Sequence, residues 1–300
     1  MLFFISLICF LLIQLMPSDP VEVVLRIRQT PAISQEMIDE TKAALGLDVP
    51  LPQRYLRWIA GVFRLDFGVS YVNPGRTVAD ELARALPQTL YLAAAALLLI
   101  VLLSVPLGLV SGLRPNSGLD NGIRAMVFSL TAVPVYWMAL LMIWLFSLHW
   151  GIFPSGGIGG LRHAALPAFA VALGHVATYI RMIRAKTIEI MTSDYVYYAR
   201  ARGIGGLRLV VHYVLRNALR PCLTALGMNI PQLIAGTIVV ENIFAWPGLG
   251  KLCIEAVLNR DYPILQAYVL LMSLLFLLSN LLFDVLQRQL DPTLKGGSEG

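Results

Sequence analysis

Five stretches of this chain, residues 1–18, 88–112, 125–161, 221–240 and 262–283, contain no Asp, Glu, Lys or Arg. A sixth, 163–180, is shorter and equally free of charge. A helix needs about 20 mostly apolar residues to cross roughly 30 Å of hydrocarbon. Lipid offers the backbone no hydrogen-bond partner, so only helices and closed barrels can span it. A barrel would alternate apolar and polar residues in segments of about ten, and this sequence does not. The expected fold class is an all-α membrane protein with six transmembrane helices. Composition agrees: 57% of residues are apolar and 14% charged, with mean hydropathy +0.72, against about 25% charged in a soluble domain. Disorder is excluded as well, since it needs low hydrophobicity and high charge.

The first stretch has neither a basic start nor a small-residue cleavage site, so it reads as a retained helix and not a signal peptide. No charge precedes it, which leaves room for a natural start upstream of Met1. Cys9, Cys222 and Cys253 show no C-x-x-C or zinc spacing and read as small hydrophobes.

With six spans the non-membrane segments form two sets. One holds the 114–124 loop, the 181–220 segment and the C-terminal tail, with twelve Lys and Arg against six Asp and Glu. On the other side the short loops contribute only Arg162, Lys251 and Arg260. The long 19–87 segment there is discounted by the positive-inside rule because of its length. Both termini are therefore expected in the cytoplasm. The basic excess reads as topology and contact with the bilayer surface; no soluble basic domain exists to hold a nucleic acid.

Three parts follow: a first transmembrane helix over 1–18, an extracytoplasmic domain over 19–87, and a transmembrane core over 88–300. In the outer domain Ser34 can cap a helix beginning at Gln35, and Gly46 can stop it. Tyr55, Leu56, Ile59, Val62 and Phe63 fall on one face of a second helix.

The cytoplasmic segment 181–220 is too long for a simple hairpin. Ser193 or Asp194 can cap a short helix that Gly203 ends through a left-handed residue. Tyr195, Tyr198, Ala199 and Arg202 then share a face. Such a helix offers aromatic, small and basic side chains either to a cytosolic partner or to anionic lipid, and the pattern alone leaves both readings open.

Along nearly its whole length the chain resembles the permease subunits of binding-protein-dependent ABC importers of the oligopeptide, dipeptide and nickel class. The resemblance rests on Leu45-Gly46-Leu47-Asp48, Leu65-Asp66-Phe67-Gly68-Val69-Ser70, Leu86-Pro87-Gln88-Thr89-Leu90 and Ser104-Val105-Pro106-Leu107-Gly108. It continues through Tyr198-Ala199-Arg200-Ala201-Arg202-Gly203, Leu215-Arg216-Asn217-Ala218-Leu219-Arg220-Pro221, the run from Glu241 to Gly250, Asn259-Arg260-Asp261-Tyr262-Pro263 and Asp291-Pro292. One departure concerns the coupling loop, which in ABC importers at large begins Glu-Ala-Ala, then three residues and Gly. Here Tyr197 and Tyr198 stand in the first two places, and only Ala199 and Gly203 match.

The resemblance implies a second, similar permease, two cytoplasmic ABC ATPase subunits and an extracytoplasmic substrate-binding protein, in a bacterial inner membrane. It implies that Asp194, Tyr195, Tyr198, Ala199, Arg200, Arg202 and Gly203 couple the chain to an ATPase, with small Ala199 letting the partner approach. It would place Glu241, Asn242, Arg260 and Asp261 near the docking surface for the binding protein.

The residues themselves supply no phosphate loop. Gly248-Leu249-Gly250-Lys251 has Ala245 where the first glycine would stand and Leu252 after the lysine. No hydrolase motif such as H-E-x-x-H or G-x-S-x-G appears either. No catalytic residue, cofactor or metal site is expected, and ATP hydrolysis falls to the partners.

Polar groups within lipid are expensive and often functional. His175, Asn229 and Gln232 are the candidates for a translocation path, with Asn229 and Gln232 three apart on one helical face. Helix–helix hydrogen bonding is the plainer role for each. Pro106, Pro134, Pro167 and Pro231 lie inside apolar spans and can kink them. The expected cargo is nickel or a metal–chelator complex, with di- or oligopeptides the alternative. An ion-coupled secondary transporter would need carboxylates within its spans, and a channel would need a selectivity constriction.

Overall fold

The computed structural model describes residues 2–14, 20–27, 34–44 and 48–290. Among them the chain is almost wholly helical, with one isolated antiparallel bridge between Val69 and Thr77. The order is α1 (Leu2–Gln14), α2 (Pro20–Ile27), α3 (Gln35–Ala44), α4 (Leu51–Phe63), α5 (Val78–Leu113), α6 (Gly118–Ala132), α7 (Val135–Met142) and α8 (Leu161–Met191). Then come α9 (Asp194–Ala201), α10 (Gly206–Leu209), α11 (Arg216–Met228), α12 (Ile230–Ile243), α13 (Leu249–Asn259) and α14 (Tyr262–Leu290). α7 and α10 each run on into a π-helical stretch, Ile143–His149 and Val210–Leu215.

The chain divides into two compact units, Met1–Gln88 with Pro247–Leu277, and Thr89–Trp246 with Leu278–Gly300. In the first, α4 holds α1: the Tyr55 hydroxyl lies 2.9 Å from Ser6 Oγ, and the Phe10 ring sits 5.4 Å from Tyr55 and 5.8 Å from Trp58. α4 is a helix as expected, but the five residues grouped on one face by their spacing are not equally buried. Tyr55 is buried and Ile59 and Val62 half-buried, while Leu56 is 63% and Phe63 85% exposed. Ser34 caps α3 by accepting the Met37 N–H at 3.3 Å, as its sequence predicts. Gly46, Leu45, Leu47, Asp291 and Pro292 lie outside the described residues.

In the second unit α8 is the central element and packs on α6, α7, α11 and α12. α5 comes close to it through Gly108 and Gly112, one turn apart. A Cβ on Gly108 would stand 2.7 Å from the Ile183 Cβ, and one on Gly112 would stand 2.5 Å from the Thr187 Cβ. Two small residues four apart let helices in lipid approach backbone to backbone, where van der Waals contact must supply most of the attraction. Trp246 is buried against Leu92, Ala164 and Ala168 and stacks on Tyr91 at 6.1 Å.

Among the described residues three helices are long and apolar enough to cross a membrane: Val78–Leu113, Leu161–Met191 and Tyr262–Phe283. Two bent pairs raise the number to five if each is one span: Gly118–Ala132 with Val135–His149, bent by 103°, and Gly206–Met228 with Ile230–Ile243, bent by 59°. The uncharged stretch 125–161 is therefore not one straight helix, because Pro134 stands at the break and caps α7. Pro231 follows the second break, at Asn229. Proline removes a backbone donor and clashes with the preceding turn, so a helix gives way before it. Pro106 and Pro167, by contrast, sit within the continuous helices α5 and α8.

Candidate functional site

The short helix α9 forms where the sequence places it. Ser193 stands at its N-cap, but its hydroxyl turns back to the Ile190 carbonyl at 2.5 Å and leaves the capping role unfilled. The C-terminus is closed more tightly. Gly203 has φ +78°. Its N–H donates to the Arg200 carbonyl at 2.9 Å, and the Ile204 N–H reaches the Ala199 carbonyl at 3.0 Å. This pair of bonds around a left-handed glycine is a Schellman motif, and it satisfies carbonyls that would otherwise be orphaned.

Val196 and Ala199 anchor α9 in an apolar cluster with Ile190, Leu209, Val214 and Ala218. Ala199 is 4% exposed. This corrects the expectation that it meets a partner: its small side chain lets α9 approach the chain's own helices. The outward face carries Tyr195, Tyr198, Asp194, Arg200 and Arg202, all exposed. It also carries Tyr197, 71% exposed, whose ring lies 5.9 Å from that of Tyr198. The Tyr195 hydroxyl accepts a bond from the Asn217 amide at 3.3 Å, which ties α9 to α11.

Sequence reasoning missed the polar support of this end of the helices. Asp120, fully buried near the start of α6, receives both arms of the Arg184 guanidinium at 2.7 Å from α8. It also accepts the Asn116 N–H at 2.8 Å and the Ser111 hydroxyl from α5. The bidentate Arg184 bond, with the Ser111 and Asn116 bonds, offsets the cost of burying the Asp120 carboxylate. Three helices are thus pinned at one carboxylate.

The proposed path residues separate. Asn229 is not on a shared helical face with Gln232, because the chain breaks at Asn229 and Gln232 belongs to α12. The Asn229 amide donates to the Tyr179 hydroxyl at 3.0 Å, so it joins α8 to the α11–α12 break. His175 on α8 is half-buried and faces α12 at Gly236, where a Cβ would stand 4.0 Å from its Nε2. Gln232 is exposed one turn before Gly236, on that same side of α12. Among the described residues no three His, Cys, Asp or Glu gather as a metal site.

Two of the four docking candidates are not on the surface. Glu241 is fully buried: Thr89 Oγ1 donates to its Oε1 at 2.8 Å, and Thr237 Oγ1 lies 2.9 Å from the same atom. A carboxylate at the end of an apolar helix needs such partners, and they draw it inward. Asp261 is 1% exposed and takes the Ser70 hydroxyl at 2.5 Å and the Val72 N–H at 3.3 Å. Beside it, burial and then the Asp261 charge push the Tyr71 phenol up to about 12. Asn242 and Arg260 are exposed, and Arg260 holds φ +56° at the end of α13.

Residues 1–93 match the N-terminal family of binding-protein-dependent transport system membrane components, and residues 104–296 match the binding-protein-dependent transport system inner membrane component family. The chain belongs to this family.

It is 36% identical over 294 residues to the metal-staphylopine import system permease protein CntB of Staphylococcus aureus, covering 98% of this chain and 94% of that one. The oligopeptide transport system permease protein AppB of Bacillus subtilis is 34% identical, with 97% and 94% covered. The glutathione transport system permease protein GsiC of Escherichia coli is 33% identical, with 98% and 94% covered. Among solved structures, the inward-facing MetNI methionine ABC transporter aligns with TM-score 0.60 at 19% identity, over 70% of this chain and 96% of that one. That likeness carries the fold. The protein is an ABC importer permease, a multi-pass membrane subunit that works with ATPase and substrate-binding partners. In the permease the α9 surface, the Asp120 clasp and the α11–α12 break all belong to one unit, Thr89–Trp246 with Leu278–Gly300.

Proposed function

We propose that this permease is the translocation subunit of an ATP-driven importer for a metal–chelator complex or nickel, with the power stroke entering through α9. The exposed row of Tyr195, Tyr197, Tyr198, Arg200 and Arg202 on a helix anchored by Val196 and Ala199 carries the reading. Aromatic rings can fill a groove on an ATPase, and guanidinium groups can pair with acids at its rim. The two bonds at Gly203 keep the helix from fraying, so a push on its face moves the cluster behind it. The permease itself has no ATP site in this reading.

In this reading the chain has six spans, with α9 and both termini in the cytoplasm and the 19–87 segment outside, and the excess of Arg and Lys around α9 supports that orientation. His175 and Gln232 on facing sides of α8 and α12 are the best candidates for lining the path. Asn229 serves as a joint beside it. Asn242 and Arg260 are the docking candidates that stay at the surface. A second permease completes the pathway. The cargo reading draws on the metal-staphylopine relative; the oligopeptide and glutathione relatives support peptides as the alternative.

Reconstitution of the permease with its partner permease and ATPases in proteoliposomes tests this. Uptake of a radiolabelled nickel–chelator complex is expected only with ATPase, binding protein and ATP together. Uptake driven by an ion gradient without ATPase would remove the proposal, and uptake of peptide alone would replace the cargo.

A further inference from the structure

A pocket of about 670 Å³ lies between α6 and α8, and neither α9 nor the proposed path residues line it. Ile123, Val127, Phe128 and Ile180 give it an apolar floor, and Arg124, Arg181 and Arg184 bring three guanidinium groups to its wall. No carboxylate lines it. Arg184 is committed to Asp120, which is buried behind it. Arg124 and Arg181 are exposed, and neither makes an ion pair among the described residues.

Their positions along the chain add a second observation. Arg124 directly precedes the uncharged stretch 125–161, and Arg181 directly follows the uncharged stretch 163–180. Both therefore stand where hydrocarbon gives way to headgroups. Phe128, one turn further into α6, is 75% exposed. A cavity that is apolar on its hydrocarbon side and doubly cationic at its mouth matches one molecule class: a phosphate carried on acyl chains. Water and salt can solvate the two arginines, but they cannot cover the apolar floor.

We propose that this pocket is a binding site for an anionic phospholipid, whose phosphate pairs with Arg124 and Arg181 and whose acyl chain lies over Phe128 and Val127. Basic pockets between membrane helices on the cytoplasmic side select such headgroups. The occupant fills the groove between α6 and α8 next to the Asp120 clasp and braces that joint. Both the leaflet and the headgroup level rest on the span reading above; lipid selectivity is measured without ATPase or cargo, so failure of the transport reading leaves it standing.

The test uses the full chain in nanodiscs of phosphatidylcholine with graded phosphatidylglycerol, with retained lipid identified by native mass spectrometry. The wild-type chain is expected to retain phosphatidylglycerol selectively. Arg124→Gln with Arg181→Gln should lower the preference by about 30-fold, from the loss of two guanidinium–phosphate pairs at the membrane surface. Each single variant should lose about fivefold, which covers the case of a double variant that fails to assemble. Arg124→Lys with Arg181→Lys should keep most of the preference. Unchanged selectivity in the glutamine variants overturns the proposal. So does displacement of the lipid by excess inorganic phosphate, which would mark a free-anion site. Crosslinking of Phe128→Cys to a second protein chain instead of lipid overturns it too, by making the groove a subunit interface.

Discussion

Gly203 ends α9 with φ +78°, and a Cβ there would meet no atom within 4 Å. A larger side chain is thus resisted by the backbone alone, at about 1–2 kcal/mol for a left-handed residue. Gly203→Trp is expected to leave the permease inserted while ATPase stimulation no longer drives uptake, lowering transport at least ~10-fold. Uptake and ATP hydrolysis measured side by side would check it, and normal uptake would contradict the coupling role of α9. Tyr197→Ala with Tyr198→Ala removes the two most exposed rings of α9 and should weaken ATPase association by ~30-fold or more if they are central to the contact. Unaltered pull-down of the ATPase would argue against that. Asp120 behaves differently, since its loss strands Arg184. Asp120→Asn should destabilise the fold by about 3 kcal/mol, read as a lower melting temperature in detergent. An unchanged melting temperature in Asp120→Asn would show that the clasp is not formed.

Among the elements, α5 and α8 depend on absent side chains. Gly112→Leu would drive a Cβ against Thr187 Cβ and within 2.9 Å of the Arg184 carbonyl, in the turn that holds the Asp120 clasp. Overpacking of this kind costs about 1–3 kcal/mol, and the variant should melt earlier and crosslink less well between cysteines placed on α5 and α8. The α11–α12 joint is held differently. Its 59° bend sits between Asn229, bonded to Tyr179, and Pro231. Pro231→Ala restores a backbone donor and should straighten the joint; if the bend serves transport, uptake falls while the melting temperature holds or rises. The uncharged run 125–161 announced a membrane element, and Pro134 within it announced a kink. The 103° turn and the π-helical stretch after Met142 were not legible, because helix periodicity reports which face is apolar and not the direction in which the next helix leaves.

For the molecule as a whole, charge-free runs of about 20 residues are enough to require helices in lipid, because each backbone group must find its partner within its own segment. That argument is local, so the class of fold, the cap at Ser34, the stop at Gly203 and the helix over 194–201 could all be read directly from the chain. The family could be read as well, since its motifs lie in sequence order. Burial of a charged or polar side chain is a different matter, because its partners lie far along the chain. Glu241 and Asp261 looked like surface acids on an outer loop, yet Thr89 and Ser70, 152 and 191 positions away, take them inside. Ala199 looked available and is packed; Leu56 and Phe63, grouped by spacing with Tyr55 on one helical face, are exposed while Tyr55 is buried. Asp120 and Arg184 stand 64 residues apart and gave no sign of meeting. Helical spacing fixed which residues could share a face, while the choice of the face that turns inward waited for the neighbouring helices, whose contact and hydrogen-bond partners exist only once the chain has folded.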